Sequence, residues 1–566
     1  MWNNQRYKRE IIIIMLSSIL IHIFMPFVLG SWWDDYKYQV FKYADIKEHM
    51  VSAGRLDAYY MLMPVNRLPI WMFRVLVVIL YMISAVLIYL IVAQTFENLQ
   101  MAFGIGILYN AIPVNDVRLM KCVYPYTLSV CMFLTATYLL IRGFKRRDYN
   151  FEYITRIGCC ILFLISFSMN SLLFYYIIPV ALLWYCIAKE TICKGEKRDG
   201  LLFVQKVMEY WDLYIIPFAY FAIKKLFLQP DSQGLYANYN SITIEKCLNA
   251  IKILPDVFVN MLVDIVKNQY ATVERNNVII IIFGIIFALF FCGRKKIVMQ
   301  SYRMNLKQKL ACEAVGIIIT MCGLYPYVVI RQSRIESYGV GGRDAILVCL
   351  GISIMFFGIL EIICAYDWIK FALSACILVV AFFHFTYYYS GYMRDYYNYA
   401  MLQQKWLQTD AVEKGNTYID IRNKENQTVT ECFYMYNAMA TEVYGNSKRF
   451  ISEGINDLYF LTEYDKKELM KNDIVYGYSE YNLDDIKIDG IMIVTYNMKE
   501  NDALRLRLKE VLTNNDYSQQ LEEYIDYRYI PITQEESSQI LQSYLNKEIQ
   551  NNDELLMLIN EFQGNK

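Results

Sequence analysis

The chain has 566 residues, of which 56% are hydrophobic, and its formal net charge is +0. Its mean hydropathy of +0.24 is too high for an ordinary soluble protein of this length. The repeated long apolar runs predict an α-helical polytopic membrane protein. The balanced charge gives no signal for a nucleic-acid partner. The 14 cysteines and three histidines show no metal-ligand spacing, so neither a zinc site nor a disulfide framework is predicted.

The first apolar run covers residues 11–30 and is long enough to cross a bilayer, which takes about 20 apolar residues. Arg6, Lys8 and Arg9 precede it, and basic flanks remain on the cytoplasmic side of a membrane. The sequence after this run is therefore expected on the outer face. No small-residue cleavage site follows, so the run is predicted to be a retained span.

Two adjacent carboxylates, Asp34 and Asp35, follow this span beside Trp32 and Trp33. Acids at the membrane surface can act as a base toward a substrate that arrives dissolved in the lipid. The alternative is that the tryptophans mark the interface and the aspartates a solvated loop. One of two neighbouring acids is expected to reach the substrate. Asp35 is favoured, because Asp34 can cap the helix that follows.

The first outer loop, residues 31–70, has apolar residues at helical spacing, among them Ile46 and Met50. This pattern indicates an amphipathic helix that lies on the membrane. Gly54 is expected to end the helix, so that Arg55 presents a cation. An ordinary surface helix is the alternative.

About ten further spans are predicted, which makes about eleven in all. Lysine and arginine are abundant in the loops 142–150, 188–200 and 293–309, which places these loops on the cytoplasmic side. An odd number of spans puts the C-terminus outside. The predicted spans are 71–94, 99–114, 124–142, 156–169, 172–188, 211–228, 277–293, 310–330, 345–365 and 368–388.

The second outer loop, residues 115–124, contains Asp116, Arg118 and Lys121. Because the loop is short, these charges are expected to stay close to the bilayer. A solvated turn is the alternative explanation of the same residues.

The fourth outer loop, residues 229–277, is much longer than the roughly 12–15 residues beyond which loops are usually functional or contain an embedded element. It includes the turn-like stretch GLYANYN (234–240). Its later part is predicted to form a pair of interfacial helices broken at Pro255.

The fifth outer loop, residues 331–345, places Arg331, Arg334 and Arg343 beside the glycine-rich turn GVGG. Glycines let the backbone approach an anion, and N–H groups at a helix start attract phosphate together with arginine side chains. The turn lacks the spacing of a dinucleotide-binding fingerprint. A tight turn with an interfacial arginine is the alternative.

The composition changes near residue 390. From there to the end no run could span a bilayer, and charged residues are dense. Strand patterns alternate with helix patterns, so 390–566 is predicted to be an extracytoplasmic α/β domain that follows a transmembrane domain over 1–389. The predicted strands are 416–421 and 490–496, and the predicted helices are 430–444, 499–515 and 537–550.

Four features together resemble the GT-C superfamily of membrane glycosyltransferases, in particular the GtrII-like glucosyltransferases and related bacterial cell-envelope transferases. WWDD comes directly after the first span, and the outer segment that follows it ends in AGR (53–55). GLYANYN stands in the fourth outer loop, and GGRDAILVCLG (341–351) enters a late span. The resemblance covers about residues 1–390 in layout.

The resemblance implies an enzyme of the bacterial cytoplasmic membrane. It would move a sugar, with inversion, from a polyprenyl-phosphate donor to an extracytoplasmic glycan, lipid or wall-polymer acceptor. In that family an acid of the first outer loop is the base, which here is Asp34 or Asp35. Whether the adjacent acids bind a divalent cation such as Mg²⁺ or Mn²⁺ stays open. The expected substrate-binding residues are Arg55, Asp116, Arg118, Lys121, Arg331, Arg334 and Arg343.

Three other functions remain open at the level of the sequence. A polymerase or ligase that uses lipid-diphosphate donors would depend on the arginines of the fifth outer loop more than on the early acids. A transporter would carry ionisable residues within its spans, for which Glu313 and Glu361 are the candidates. A scaffold would bind a partner without bond chemistry.

Overall fold

The computed structural model shows a predominantly helical chain with one small sheet. Residues outside the described ranges include Trp33, Asp34 and Arg331, and the whole stretch GLYANYN (234–240) lies outside them as well. The described residues are 5–32, 35, 38, 43–146, 149–191, 199–230, 242–293, 304–330, 334–364, 367–409, 417–422, 428, 433–445, 450–455, 487–515 and 517–564.

The helices up to residue 407 follow the apolar runs of the sequence. They are α1 (Gln5–Ile21), α2 (Tyr43–Ser52), α3 (Leu56–Asn66), α4 (Ile70–Phe96), α5 (Leu99–Ala111), α6 (Tyr124–Arg146), α7 (Tyr149–Ser166), α8 (Ser171–Tyr175), α9 (Ile177–Thr191), α10 (Asp199–Met208), α11 (Trp211–Phe227), α12 (Ile244–Gly293), α13 (Leu306–Val329), α14 (Val348–Ile363) and α15 (Asp367–Leu407).

Six helical stretches in the described residues have the length and apolarity needed to cross a membrane. They are Gln5–Phe27, Ile70–Phe96, Lys121–Arg146, Ser171–Thr191, Leu306–Val329 and Ala372–Leu407. The shorter helices α5 and α14 are also apolar. The chain is therefore a helical protein with several membrane-spanning helices. Each predicted span overlaps a helix, but the predicted total of eleven spans is not confirmed.

Local sequence signals explain where several of these helices begin. The Asn305 side chain accepts a hydrogen bond from the Gln308 N–H at 2.9 Å, and the Gln308 side chain accepts one from the Asn305 N–H at 3.0 Å. This reciprocal pair satisfies N–H groups that the first turn of α13 would leave without partners. The Asn98 side chain caps α5 in a similar way, accepting from the Met101 N–H at 3.1 Å.

The predicted break at Pro255 is wrong. α12 continues from Ile244 to Gly293 through Pro255, and its non-helical backbone lies at Asn276, where φ is −129° and ψ is 20°. Pro255 removes one N–H donor, so the carbonyl of Ile251 loses its helical partner. Both residues are exposed. Water or lipid headgroups can therefore satisfy that carbonyl, and the helix continues.

The chain divides into two compact units. The first contains Met1–Pro26, Tyr60–Gln229 and Tyr239–Thr386. The second contains Phe27–Tyr59, Pro230–Asn238 and Tyr387–Lys566. The second unit thus includes most of the first outer loop as well as the charged C-terminal part, a combination that the sequence did not predict.

Within the first unit, α13 and α14 approach closely where glycines leave room. A Cβ atom added at Gly351 would lie 2.7 Å from the Gly316 carbonyl oxygen and 2.5 Å from the Thr320 backbone nitrogen. A Cβ atom at Gly316 would lie 2.8 Å from the Met355 nitrogen. Small residues allow this kind of backbone contact between membrane helices, where dispersion and hydrogen bonding drive association.

We expect Gly351→Leu to disrupt the packing of α13 on α14, because the new side chain would overlap backbone atoms that cannot move aside. Overpacking typically costs about 1–3 kcal/mol, and backbone contact makes the cost larger. Gly158→Leu on α7 is the matched control, since an added Cβ atom there has no neighbour within 4 Å. Size-exclusion chromatography and thermal melting in detergent measure the effect. A monodisperse Gly351→Leu protein with the wild-type melting temperature would contradict this packing.

The second unit contains a four-stranded mixed sheet. Its strands are β1 (Thr417–Arg422), β2 (Phe450–Glu453), β3 (Gly490–Tyr496) and β4 (Ile525–Pro531), in the spatial order β2-β1-β3-β4. β1 pairs with β2 and β3 in parallel, and β3 pairs with β4 antiparallel. Its helices are α16 (Phe433–Tyr444), α17 (Glu500–Thr513), α18 (Gln534–Leu545) and α19 (Asn552–Gly564).

The core of this unit is rich in isoleucine. Ile419 on β1 pairs in register with Ile491 on β3, which pairs with Ile530 on β4. These three side chains belong to one buried cluster that also includes Ile540 of α18 and Ile559 of α19. β-branched side chains suit a pleated surface, and their burial is what holds the two helices on the sheet.

Candidate functional site

The second outer loop folds into two short 3-10 turns, Asp116–Leu119 and Lys121–Val123. Asn115 precedes them with a φ of 60°, a left-handed conformation that asparagine adopts more readily than most residues. All three charged side chains of this loop are buried. The loop is therefore an ordered part of the first unit rather than a solvated turn.

The second and fifth outer loops contact each other. The Asp116 carboxylate accepts a hydrogen bond from the Gly339 N–H at 2.9 Å. Gly339 has a φ of 65°, in the region that favours glycine, so the glycine-rich turn supplies the conformation that this contact requires. We call residues 115–123 together with 334–345 the loop cluster.

A third element, α12, holds the loop cluster from another side. Ser337 accepts backbone and side-chain hydrogen bonds, from the Asn115 N–H at 3.3 Å and from the Asn268 amide at 3.2 Å. Arg334 lies 3.5 Å from Asp264 of the same helix. The two loops of the cluster and α12 are thus joined although they are far apart in the sequence.

Arg118 has contacts that hold the loop in its conformation. Its Nε donates to the Asn115 carbonyl at 2.6 Å, and its Nη2 donates to the Val114 carbonyl at 2.5 Å. Its guanidinium lies 4.0 Å from the centre of the Tyr81 ring, a cation–π geometry. The residue is 1% exposed. These contacts assign Arg118 a structural role in the loop.

The other cations of the cluster differ in how accessible they are. Lys121 is buried and donates to the Asn66 carbonyl at 3.0 Å. The Arg343 side chain is 26% exposed, with its Nε 3.7 Å from the Asp344 carboxylate, and the Arg334 side chain is 65% exposed. A ligand that approaches the cluster from outside would therefore meet Arg343 and Arg334 before the two buried cations.

A small cavity lies beneath the loop cluster. Its volume of ≈ 10 Å³ is close to the minimum that holds one water molecule. No substrate could enter a space of this size, so the polar interior serves the loop's structure. The lining residues are Tyr81, Ser84, Tyr109, Asn115, Arg118, Thr127, Val130, Ile346 and Cys349.

Among the buried cations that sequence reasoning missed is Arg74, which is 0% exposed. It lies one turn into the apolar helix α4, and a charged residue inside such a run is a functional signal that could have identified it. The buried face of α4 that carries it has the helical spacing of three and four residues. That face consists of Arg74, Val77, Tyr81, Ser84 and Ile88.

Asp35, the favoured base, is buried in the second unit with 0% exposure. Its N–H donates to the Trp32 carbonyl at 3.1 Å. The Trp32 ring is also fully buried, and it meets the Tyr392 ring edge-on at 5.1 Å. Asp35 therefore belongs to a packed part of the second unit rather than to a solvated loop. Asp34 lies outside the described residues.

The predicted end of the amphipathic helix at Gly54 is confirmed. α2 stops at Ser52, and Gly54 has a φ of 66°. The Arg55 N–H donates to the Met50 carbonyl at 2.7 Å, which is the hydrogen bond of a glycine-terminated helix. The Arg55 side chain is 28% exposed and lies 3.9 Å from the Asp57 carboxylate. Arg331 lies outside the described residues.

Asp35 and Arg55 belong to the second unit, whereas the loop cluster belongs to the first. Convergence of the early acids with the arginines of the later loops stays a prediction. Within the described residues, no group of three or more histidine, cysteine, aspartate or glutamate side chains is placed to hold a metal ion.

The carboxyl edge of the sheet is filled by side chains of α15. β1 and β3 are parallel neighbours, and β2 lies on the other side of β1. In sheets of this kind, ligands bind at the carboxyl ends of neighbouring strands whose connections leave in opposite directions. The segments that follow β1 and β3 carry Thr428 and Glu500. The Arg394 guanidinium lies 2.7 Å from Glu500, and the Asp395 carboxylate accepts from the Thr428 N–H at 2.9 Å. Within the described residues, α15 therefore packs against the carboxyl edge of the sheet.

Searches against models of known protein families and against curated proteins give no match to this chain. Its function is therefore inferred from its residues and their geometry.

Proposed function

We propose that this protein is a membrane glycosyltransferase that moves a sugar from a polyprenyl-phosphate donor to an extracytoplasmic glycan, lipid or wall-polymer acceptor. The observation that supports the proposal most is the loop cluster, where cations from two loops are gathered around a glycine-rich turn and an aspartate. Such a site suits a phosphate carried by a lipid, because guanidinium groups pair with phosphate oxygens through charge-assisted hydrogen bonds.

The proposed reaction is a single displacement. Asp35 takes the proton of an acceptor hydroxyl while that oxygen forms a bond to the anomeric carbon of the donor sugar. The bond between that carbon and the phosphate oxygen breaks, and the polyprenyl phosphate leaves with the electron pair. Arg343 neutralises the charge that develops on the phosphate, and transfer inverts the anomeric centre.

The buried cations have a supporting role in this scheme. Arg118 and Lys121 donate to backbone carbonyls of neighbouring segments and so hold the turn that carries Asp116. Asp116 in turn accepts a hydrogen bond from the Gly339 N–H. Gly339 directly precedes the 3-10 turn Val340–Ala345, which carries Arg343. The geometry of the donor site would therefore depend on residues that do not touch the donor.

The proposed topology has eleven spans in the bacterial cytoplasmic membrane, with the N-terminus in the cytoplasm. α7, α11 and the last part of α12 would be spans in addition to the six long apolar helices and to α5 and α14. The lysine-rich and arginine-rich loops support this orientation. The sheet of the second unit would then form an extracytoplasmic α/β domain.

A lipid-diphosphate polymerase or ligase is the second candidate. It is favoured by the greater exposure of Arg334 and Arg343 compared with Asp35. A transporter has less support, because Glu361, its expected mid-membrane acid, is 2.7 Å from Lys370 and 3% exposed. Such a pair explains the buried carboxylate as a structural element.

The direct test compares the surface glycans of cells with and without the gene. We expect one sugar substituent to disappear from the envelope when the gene is deleted and to return with the wild-type gene. Unchanged glycans, together with no transfer by the purified protein from polyprenyl-phosphate sugars, would contradict the proposal.

Arg343→Gln should raise the donor KM about ten- to hundredfold, because a hydrogen bond to a charged group contributes about 1.5–3 kcal/mol. Arg146→Gln is the control, since Arg146 lies at the opposite end of α6 from the loop cluster and stacks 4.1 Å from the Phe151 ring. Transfer of radiolabelled sugar from a polyprenyl-phosphate donor measures the donor KM of both variants. Equal donor KM values for the two variants would remove Arg343 from the donor site.

A further inference from the structure

The first part of α12, from Ile244 to Asn276, presents three different faces. At 3.6 residues per turn, successive residues are rotated by about 100° around the helix axis. One face is buried against the first unit, at intervals of four and seven residues. It consists of Ala250, Val257, Met261, Ile265 and Thr272.

A second face is apolar and exposed. Its residues follow each other at intervals of three and four, and their exposed fractions run from 42% at Val263 to 68% at Tyr270. This face forms a continuous stripe over about six turns of helix. The stripe consists of Leu248, Ile251, Pro255, Val259, Val263, Val266 and Tyr270.

A third face is polar and exposed, and it lies between the other two on one side of the helix. Its residues follow at intervals of four and seven. It consists of Asn249, Asp256, Asn260, Lys267 and Glu274. Lys252 stands at its border with the apolar stripe.

These faces exclude two simple arrangements. Crossing the hydrocarbon would take Asp256, Lys267 and Glu274 out of water, which is costly for charged groups without partners of opposite sign. Full hydration would leave the apolar stripe in water, and the stripe's larger side chains each gain about 1.5–3 kcal/mol when they are buried. A position at the boundary between lipid and water satisfies all three faces.

We propose that the segment Ile244–Asn276 of α12 lies along the lipid–water interface on the outer face of the membrane, with the apolar stripe in the lipid and the polar face in water. Two further features point to lipid as the occupant. Lys252 and Lys267 lie on the polar side of the stripe, where they can meet anionic headgroups, and Tyr270 is an aromatic residue typical of this depth. The same helix continues beyond Asn276 into the apolar run 278–292, which is predicted to span the membrane.

An interfacial position of α12 fixes the depth of the loop cluster. Asp264 and Asn268 of this segment contact Arg334 and Ser337 of the fifth outer loop at 3.5 and 3.2 Å. If α12 lies in the interface, these loop residues lie at the level of the headgroups. A phosphate attached to a membrane lipid is found at the same level, whichever reaction the site performs.

Site-specific photo-crosslinking tests the position of each face. The photoreactive residue p-benzoylphenylalanine replaces Val259 or Val266 on the apolar stripe, and Asn260 or Lys267 on the polar face. The full chain is irradiated in its membrane, and lipid adducts are detected by mass spectrometry. We expect adducts at the two valine positions that are several times more abundant than those at the two polar positions.

Equal lipid adducts on both faces would overturn the proposal, as would adducts to a second copy or another protein at the valine positions. A second measurement uses the wild-type chain, so that it does not depend on whether the substituted variants fold. Hydroxyl-radical labelling of Tyr270 should be strong in a small detergent that leaves the stripe accessible and weak in a bilayer. Equal labelling in both would also overturn it. Neither readout involves glycosyl transfer, so their failure is distinct from failure of the proposed reaction.

Discussion

Asp35→Asn is expected to lower the rate of glycosyl transfer by about 10²- to 10⁴-fold, the usual contribution of a positioned general base. Asparagine has nearly the same shape as aspartate but cannot accept the proton of the acceptor hydroxyl. Because Asp35 is fully buried beside Trp32, the isosteric change should leave the local packing intact. Transfer from a polyprenyl-phosphate sugar, followed at saturating donor, measures the loss.

The control for this variant is Asp57→Asn. Asp57 is an acid of the same outer loop and the same unit, and its carboxylate lies 3.9 Å from Arg55. An ion pair of this length at a partly exposed position contributes about 0–1 kcal/mol, so the Asp57 variant should retain activity. If the Asp35 variant also retains activity, Asp35 is not the base. If transfer then fails in Arg334 and Arg343 variants, the polymerase or ligase reaction becomes the better explanation.

The second large effect is expected at Arg394. This residue is 2% exposed and lies within hydrogen-bonding distance of Asp395, Thr428 and Glu500. Arg394→Met removes the cation and leaves the buried Asp395 carboxylate, which is 1% exposed, without it. Breaking a buried pair in this way costs about 3–5 kcal/mol.

Hydrogen–deuterium exchange of β1 and β3 in the intact protein measures this cost. Their amides should exchange about 10²- to 10⁴-fold faster in Arg394→Met, because opening of the sheet then carries the full loss of a buried pair. Lys405→Met is the matched control on the same helix, α15. Lys405 pairs with Glu522 at 3.2 Å, but Glu522 is 63% exposed. That contact lowers the pKa of the Glu522 carboxyl, and an exposed pair of this kind contributes little to stability.

Protected amides in Arg394→Met, with the same exchange rates as in Lys405→Met, would show that the docking of α15 on the sheet does not depend on this charge network. In that case the apolar and aromatic contacts of the helix would be sufficient to hold it.

Several local features of the chain were predictable because they depend on neighbouring residues. The strands predicted at 416–421 and 490–496 are present as β1 and β3, each within one residue of its predicted ends. The end of α2 at Gly54 was predictable for the same reason, since glycine adopts a left-handed φ without a steric penalty. β2 was missed because four residues are too few to show a pattern. β4 was missed because charged residues interrupt its apolar positions.

The candidate site was predictable in its parts but not in its arrangement. Asp116 was identified because its loop is short enough to keep charges near the bilayer, and Arg343 because it stands beside a glycine-rich turn. Their sequence positions could not show that Asp116 would bond to Gly339, a residue 223 positions away. The sequence positions also could not show that the Arg118 side chain would donate hydrogen bonds to nearby backbone carbonyls. Those bonds make Arg118 a structural residue rather than the expected ligand contact. The continuation of α12 through Pro255 likewise depended on which side of the helix is exposed.

The amino-acid sequence by itself determined that this chain is built from membrane-spanning helices, because the length of an apolar run and the charge of its flanks act locally against the bilayer. Only the tertiary structure decided which charged residues are buried and which remain accessible. Burial depends on how α12, α13 and the two outer loops pack, and hydrogen bonds between segments more than 200 residues apart leave no periodic trace in the sequence. For the same reason, the filling of the sheet edge by Arg394 and Asp395 became visible only once α15 and the strands were placed together.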